Sequence, residues 1–105
     1  MQHNRPYLKK GYQLRNLSMD TGIPQHFLSM VIHEEFNMNF NDFLNYHRVA
    51  YAKDKLQDAE WQKLTLEAIA LESGFSNRIT FFRAFTKLVG TTPSKYIADF
   101  SASPE

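Results

Sequence analysis

Apolar side chains recur along this chain at steps of three and four, the period of a helix with one buried face. There is no long alternation of apolar and polar positions and no Asn-Gly or Asp-Gly hairpin turn, so the pattern predicts no sheet. Leu14 and Leu17 predict a short helix that Gly22 stops. Phe27, Leu28, Val31, Ile32 and Phe36 predict the buried stripe of a second helix. Pro24 suits its first turn, where a missing N–H costs nothing. Asn39, with Asp42 three residues on, is an N-cap followed by an acid that faces the positive helix end. It opens a long helix of about five turns carrying Phe40, Phe43, Leu44, His47, Ala50, Tyr51 and Leu56. Residues 59–64 show no clear period. Thr65 then caps a short helix over 66–73, with Ile69 and Ala70 inward and Gly74 as its stop. A helix over 77–88 follows, with Phe81, Ala84, Phe85 and Leu88 as its stripe, ended by Gly90 in the left-handed conformation. Thr92-Pro93 opens a last short helix with Tyr96 and Ile97, and residues 101–105 read as a frayed tail.

One pattern therefore occurs twice, over 14–36 and 66–88: short helix, glycine corner, amphipathic helix. In each copy a small residue (Ser18, Ala70) stands four positions before the corner glycine (Gly22, Gly74), and an apolar residue (Ile23, Phe75) follows it at once. Only a small side chain lets two helices cross closely at the steep angle of a helix-turn-helix, and the apolar residue plugs the space beneath the corner. The expected fold is all-α: two helix-turn-helix subdomains joined by a long central helix, about seven helices in all. Its divisions are a lead-in and first helix (1–13), the first helix-turn-helix (14–38), the linker helix (39–58), the second helix-turn-helix with a closing helix (59–100) and the tail (101–105). Phe27, Leu28 and Ile32 are expected to form one core. Ile69, Phe75, Phe81, Phe85 and Tyr96 are expected to form the other.

Composition narrows the chemistry. The chain has 105 residues, 43% hydrophobic and 22% charged, the balance of one globular domain. The absence of cysteine excludes a disulfide scaffold, a zinc–thiolate or iron–sulfur site and a cysteine nucleophile. No apolar run approaches the roughly 20 residues of a membrane helix, and the polar, basic start is no signal peptide. A cytoplasmic protein without membrane contact is expected. Enzyme chemistry finds no support. The glycines are scattered helix stops, and no His-Glu-x-x-His pattern occurs. His26 and His33 stand two turns apart, about 10 Å, too far to share a metal. Glu34 and Glu35 are adjacent rather than face-sharing. Neither catalytic activity, metal nor cofactor is expected.

The net charge of +1 conceals an uneven distribution. The first fifteen residues carry Arg5, Lys9, Lys10 and Arg15 and no acid. From Ser73 to Ala98 the only formal charges are Arg78, Arg83, Lys87 and Lys95. Such stretches suit a polyanion partner, and they equally suit solvated helix faces. In the second motif the buried stripe leaves Arg78, Ile79, Phe82 and Arg83 outward. Arginine pairs two-pronged with guanine, and apolar side chains meet thymine methyl groups. The competing assignment for Phe82 is a core position. In the first motif Gln25, His26, Ser29, Met30 and His33 face outward, none with a full positive charge.

At these residues the chain resembles the C-terminal DNA-binding domain of AraC/XylS-type transcription regulators. The segment from Ile69-Ala70-Leu71-Glu72-Ser73-Gly74-Phe75-Ser76 through Phe81, Arg83, Phe85, Gly90, Thr91-Thr92-Pro93-Ser94 and Tyr96 is similar to the family signature. The linker helix matches at Phe40, Phe43, Leu44, Arg48, Val49, Ala52 and Leu56, and the first motif at Leu17, Gly22, Ile23, Leu28, Ser29 and Ile32. Three positions depart from the pattern. Ser18 replaces an alanine, Asn37 replaces a glycine, and Met30 stands where many members carry a polar or basic side chain. The resemblance implies sequence-specific binding of double-stranded DNA, with two recognition helices in successive major grooves. It implies base contacts at Arg78, Ile79, Phe82, Arg83, His26, Ser29 and Met30. Weaker backbone contacts are expected from Gln25, His33, Asn77, Thr80, Lys87, Lys95, Lys9, Lys10 and Arg15, and a structural role at the subdomain junction from Arg48. It also implies RNA polymerase as a partner. Family members usually carry a separate N-terminal sensory or dimerisation domain; with only Met1 to Leu14 before the first motif, the resemblance implies either a domain cut out of such a regulator or a stand-alone short member. The alternative is a helical protein-interaction module that has lost DNA binding, which the low net charge, Met30 and Phe82 favour.

Overall fold

The computed structural model describes residues 6–102. Arg5 and residues 103–105 of the expected tail lie outside them. Among the described residues there are seven α-helices, one short 3-10 turn and no strand. The 3-10 turn is Pro6–Leu8, followed by α1 (Leu14–Thr21), α2 (Gln25–Phe36), α3 (Phe40–Lys55), α4 (Ala59–Gln62), α5 (Leu66–Glu72), α6 (Arg78–Val89) and α7 (Pro93–Ala102).

Local chemistry accounts for most helix ends. Asn39 Oδ1 accepts the Asp42 N–H at 2.8 Å and opens α3. Thr65 Oγ1 caps α5 through Ala68, Asn77 Oδ1 caps α6 through Thr80, and Thr92 Oγ1 caps α7 through Lys95. Each satisfies one of the orphan N–H groups of a first turn. Gly22 (φ 76°), Asn37 (φ 55°) and Gly90 (φ 90°) end α1, α2 and α6 in the left-handed region. Asn37 is the only non-glycine with positive φ among the described residues, and asparagine is one of the few that tolerates it.

Two buried clusters share the central helix. Phe40 and Leu44, from its first half, pack with Tyr12, Leu17 and Ile32. Val49 and Ala52, with Leu56 just past its end, pack with Ile69, Ala70, Phe75, Phe81 and Phe85. Tyr96 and Trp61 lean on the second cluster. Each helix-turn-helix thus has its own core, and α3 is the only long element common to both.

The structure corrects several expectations. The stripe on α2 is wider than the surface that covers it. Ile32 is buried and Leu28 half-buried, but Phe27 and Val31 are exposed. Only α1 and α3 pack substantially on this helix, and they cover a narrow face. Phe36 is half exposed and lays its ring on Phe43, centroids 4.9 Å apart. Phe75 plugs the second corner at 1% exposure, whereas Ile23 after the first corner is 38% exposed, so the two corners are not equivalent. Ala50 and Leu88 also lie exposed. Pro24 sits at the N-cap of α2 rather than in its first turn. Residues 59–64 contain the one-turn helix α4, capped by Asp58, too short to show a period. The last helix runs through Ala102, two residues into the expected tail.

Candidate nucleic-acid interface

The outer side of α6 carries the densest set of expected contacts. Arg78, Ile79, Phe82 and Arg83 line one shallow depression of about 490 Å³, with Leu66 from the first turn of α5 as its fifth wall. Ile79 is 59% exposed and Phe82 40%, so Phe82 is a surface ring and not a core one. The core work on this helix falls to Phe81 and Phe85, both fully buried. Two guanidinium groups therefore flank two apolar side chains on a helix whose N-terminus is open to solvent. That combination suits base edges: hydrogen-bond donors for guanine and apolar surface for thymine methyls. Leu66 was missed from the sequence. It sits twelve positions before Arg78, and only the folding of α5 against α6 brings it there.

On α2 the outward residues Gln25, His26, Ser29, Met30 and His33 are all exposed, Met30 at 48%. This face is neutral and partly apolar, and Phe27 and Val31 widen its apolar margin. Asn77 spends its side-chain oxygen on capping α6, with Thr80 supplying the N–H. Lys87 is exposed and borders the cleft between α3 and α6, with Asn37, Met38, Asp42 and Asn45. Lys95 lies 3.6 Å from Asp99 one turn on, a solvent-exposed pair. Lys9 and Lys10 share a small polar hollow with Asp20, whose carboxylate accepts the Tyr12 hydroxyl at 2.6 Å. Burial, with the Asp20 carboxylate beside it, pushes the Tyr12 phenol up to about 12. Arg15 is exposed on α1. The expected backbone contacts are thus scattered rather than gathered into one basic patch.

Arg48 lies at the junction of the two subdomains, as expected. Its Nε donates to the Tyr7 carbonyl at 2.6 Å, and its guanidinium carbon stands 5.7 Å from the centre of the Phe75 ring. Among the described residues no group of three or more His, Asp or Glu side chains is placed to hold a metal ion. No described helix is long and apolar enough to cross a membrane.

Comparison with known proteins agrees with this architecture. A family model described as a helix-turn-helix domain matches residues 17–99. Uncharacterized HTH-type transcriptional regulators of Staphylococcus aureus, from strains COL and MSSA476 among others, are 34% identical over 92 residues, 88% of this chain. The chain spans only 12% of their length. A solved protein of unknown function from Listeria innocua is 33% identical, with a TM-score of 0.72 over 88% of this chain and 85% of that one. The C-terminal domain of the two-component response regulator yesN from Fusobacterium nucleatum is 27% identical, with a TM-score of 0.73 over 87% and 85%. The C-terminal domain of AraT, a response regulator from Geobacillus stearothermophilus, shares the fold at a TM-score of 0.76 and 22% identity, over 89% and 74%. With two helix-turn-helix units on one central helix and a family match over most of its length, this chain belongs to the AraC/XylS-type family of helix-turn-helix domains.

Proposed function

We propose that the chain binds double-stranded DNA sequence-specifically as the DNA-binding domain of a transcription regulator, with α2 and α6 entering successive major grooves. The observation that carries this is the outer face of α6, where Arg78, Ile79, Phe82 and Arg83 gather in one exposed depression. The molecule is 48 Å long and about half as wide, so its long axis exceeds the roughly 34 Å between successive major grooves on one side of DNA. The units differ in charge and corner packing, so the site is asymmetric rather than palindromic. Helix α6 anchors and α2 tunes. Fitting a stiff rod to straight DNA favours bending, at about 1–6 kcal/mol. No catalytic step is needed. In the intact regulator a separate sensory or dimerisation domain and RNA polymerase are the further partners, and the site of action is the bacterial cytoplasm.

Fluorescence anisotropy on cognate and scrambled duplexes tests the assignment. Arg78→Ala and Arg83→Ala should each lose about 1–3 kcal/mol on the cognate site. His26→Ala should lose less. If both arginine variants bind cognate DNA as the parent does, α6 is not the reader.

The competing function is a protein-interaction module, favoured by the exposed apolar margin of α2 at Phe27, Met30 and Val31. It predicts no binding to random duplex at low salt, where a DNA-binding domain shows weak affinity that falls steeply as salt rises.

A further inference from the structure

The chain enters the fold by an unexpected route. In the 3-10 turn Pro6–Leu8, its backbone runs directly against the corner of the second helix-turn-helix. A Cβ on Gly74 would fall 2.8 Å from Leu8 Cα, 3.1 Å from Arg48 Nε and closer still to the Tyr7 carbonyl oxygen. Only a glycine leaves room for this lead-in. Arg48, from the middle of α3, fastens it. Its Nε donates to the Tyr7 carbonyl at 2.6 Å and Nη2 to the Lys9 carbonyl at 3.4 Å, while Nη1 turns to Asn45 Oδ1 at 3.4 Å. The Tyr7 ring stacks on His47, centroids 5.4 Å apart, and meets Tyr51 edge-on. The lead-in is thus tied to α3 by its ring and by two carbonyls, and it fills the angle between α3 and the α5–α6 corner.

Arg48 has no acidic partner among the described residues and is half-buried. A half-buried charge is costly unless hydrogen bonds replace the water it gives up, and here the acceptors are the carbonyls of Tyr7 and Lys9 and Asn45 Oδ1. What it holds is chain 39 to 41 positions away: Tyr7, which packs on the first core cluster, seated against the corner of the second helix-turn-helix.

We infer that residues 7–9 act as a strap that sets the angle of the second helix-turn-helix on α3, with Arg48 as the positioning residue, so that the strap fixes the distance between the two grooves the domain can read. This rests on the two-groove reading proposed above. It also makes the lead-in a mechanical handle: a domain attached before it would change DNA binding by pulling the strap, without touching either recognition helix.

Spacing dependence tests the inference. A tight-binding duplex is selected from a random pool. Versions are made with base pairs inserted between the half-sites, up to half a turn or about 5 base pairs, and with the α2 half-site scrambled. The parent is expected to prefer one spacing sharply. Arg48→Met keeps the stem and removes the hydrogen bonds. It should lose about tenfold or more on the preferred spacing, flatten the spacing profile and leave the half-site duplex unchanged. Arg48→Lys should restore part of the preference. Tyr7→Ala, which frees the strap without touching Arg48, should flatten the profile in the same way, so the inference stays testable if Arg48→Met folds poorly. Equal losses on full and half-site duplexes would make Arg48 merely structural and overturn the strap. So would parent-like profiles in Arg48→Met and Tyr7→Ala. A parent that itself ignores spacing would instead overturn the two-groove reading, and the strap with it.

Discussion

Gly74 and Gly22 hold the same position in the two sequence repeats, yet they meet different surroundings. Both have positive φ, 95° and 76°, which costs an L side chain about 1–2 kcal/mol. A Cβ on Gly22 would meet nothing within 4 Å, whereas one on Gly74 would collide with the lead-in backbone. Chemical denaturation should therefore show Gly22→Ala losing about 1–2 kcal/mol and Gly74→Ala clearly more, since backbone rather than a flexible side chain must move. His47 offers a second test at this scale. It lies among the rings of Tyr7, Phe43 and Tyr46, and burial holds its pKa below the usual histidine value. As pH falls through about 6.5 the unfolded chain takes up this proton first, while the folded chain resists it. The His47 contribution to stability is therefore present above that pH, and it is lost on acidification until the folded imidazole protonates. Denaturation midpoints measured across this range should fall with pH in the parent and fall less in His47→Gln.

At the scale of elements, burial separates helices that look alike in sequence. Helix α6 buries Phe81 and Phe85 completely, while α2 buries only Ile32. Phe85→Ala should cost about 3–5 kcal/mol, through lost transfer energy and the cavity left behind. Phe27→Ala on α2 should cost far less, within about 1 kcal/mol, because its ring is 42% exposed and leaves no closed cavity. Urea denaturation of the two variants checks the contrast. The caps are worth less and are local: Asn39→Ala and Asn77→Ala should each cost about 1 kcal/mol. The Asn77 variant should also fray the first turn of α6, where Arg78 and Ile79 sit, and so weaken DNA binding beyond the stability loss.

At the scale of the whole molecule, α3 belongs to two cores at once, and the strap closes the angle at one of them. The net charge of +1 implies a modest electrostatic component of DNA binding. A plot of log affinity against log salt should slope by about −0.9 for each phosphate neutralised. Lys95→Ala should weaken cognate and scrambled duplexes alike and make that slope shallower by about 1. An unchanged slope would mean that Lys95 stays with Asp99 when DNA is bound.

Helix ends were legible in the sequence because their causes lie within about four residues of one another: an asparagine or threonine oxygen and an N–H three positions on, or a glycine free to turn left-handed. The repeat of small residue, corner glycine and amphipathic helix was legible for the same reason, and with it the fold and the outward set on α6. Burial is decided differently. Whether an apolar position is covered depends on elements far away in the chain, so the stripe on α2 could not announce that only Leu28 and Ile32 would find cover. Leu66 joined Arg78 and Phe82 only when α5 packed on α6. The seating of Tyr7 against Gly74 spans 67 positions, a separation over which no periodicity carries information. The sequence by itself determined the helices α1–α3 and α5–α7 and most of their caps and corners, though neither the one-turn α4 nor the end of α7. The tertiary structure alone decided which apolar faces are shared, and how the chain's entry is held between the two units, because those contacts exist only once distant segments meet.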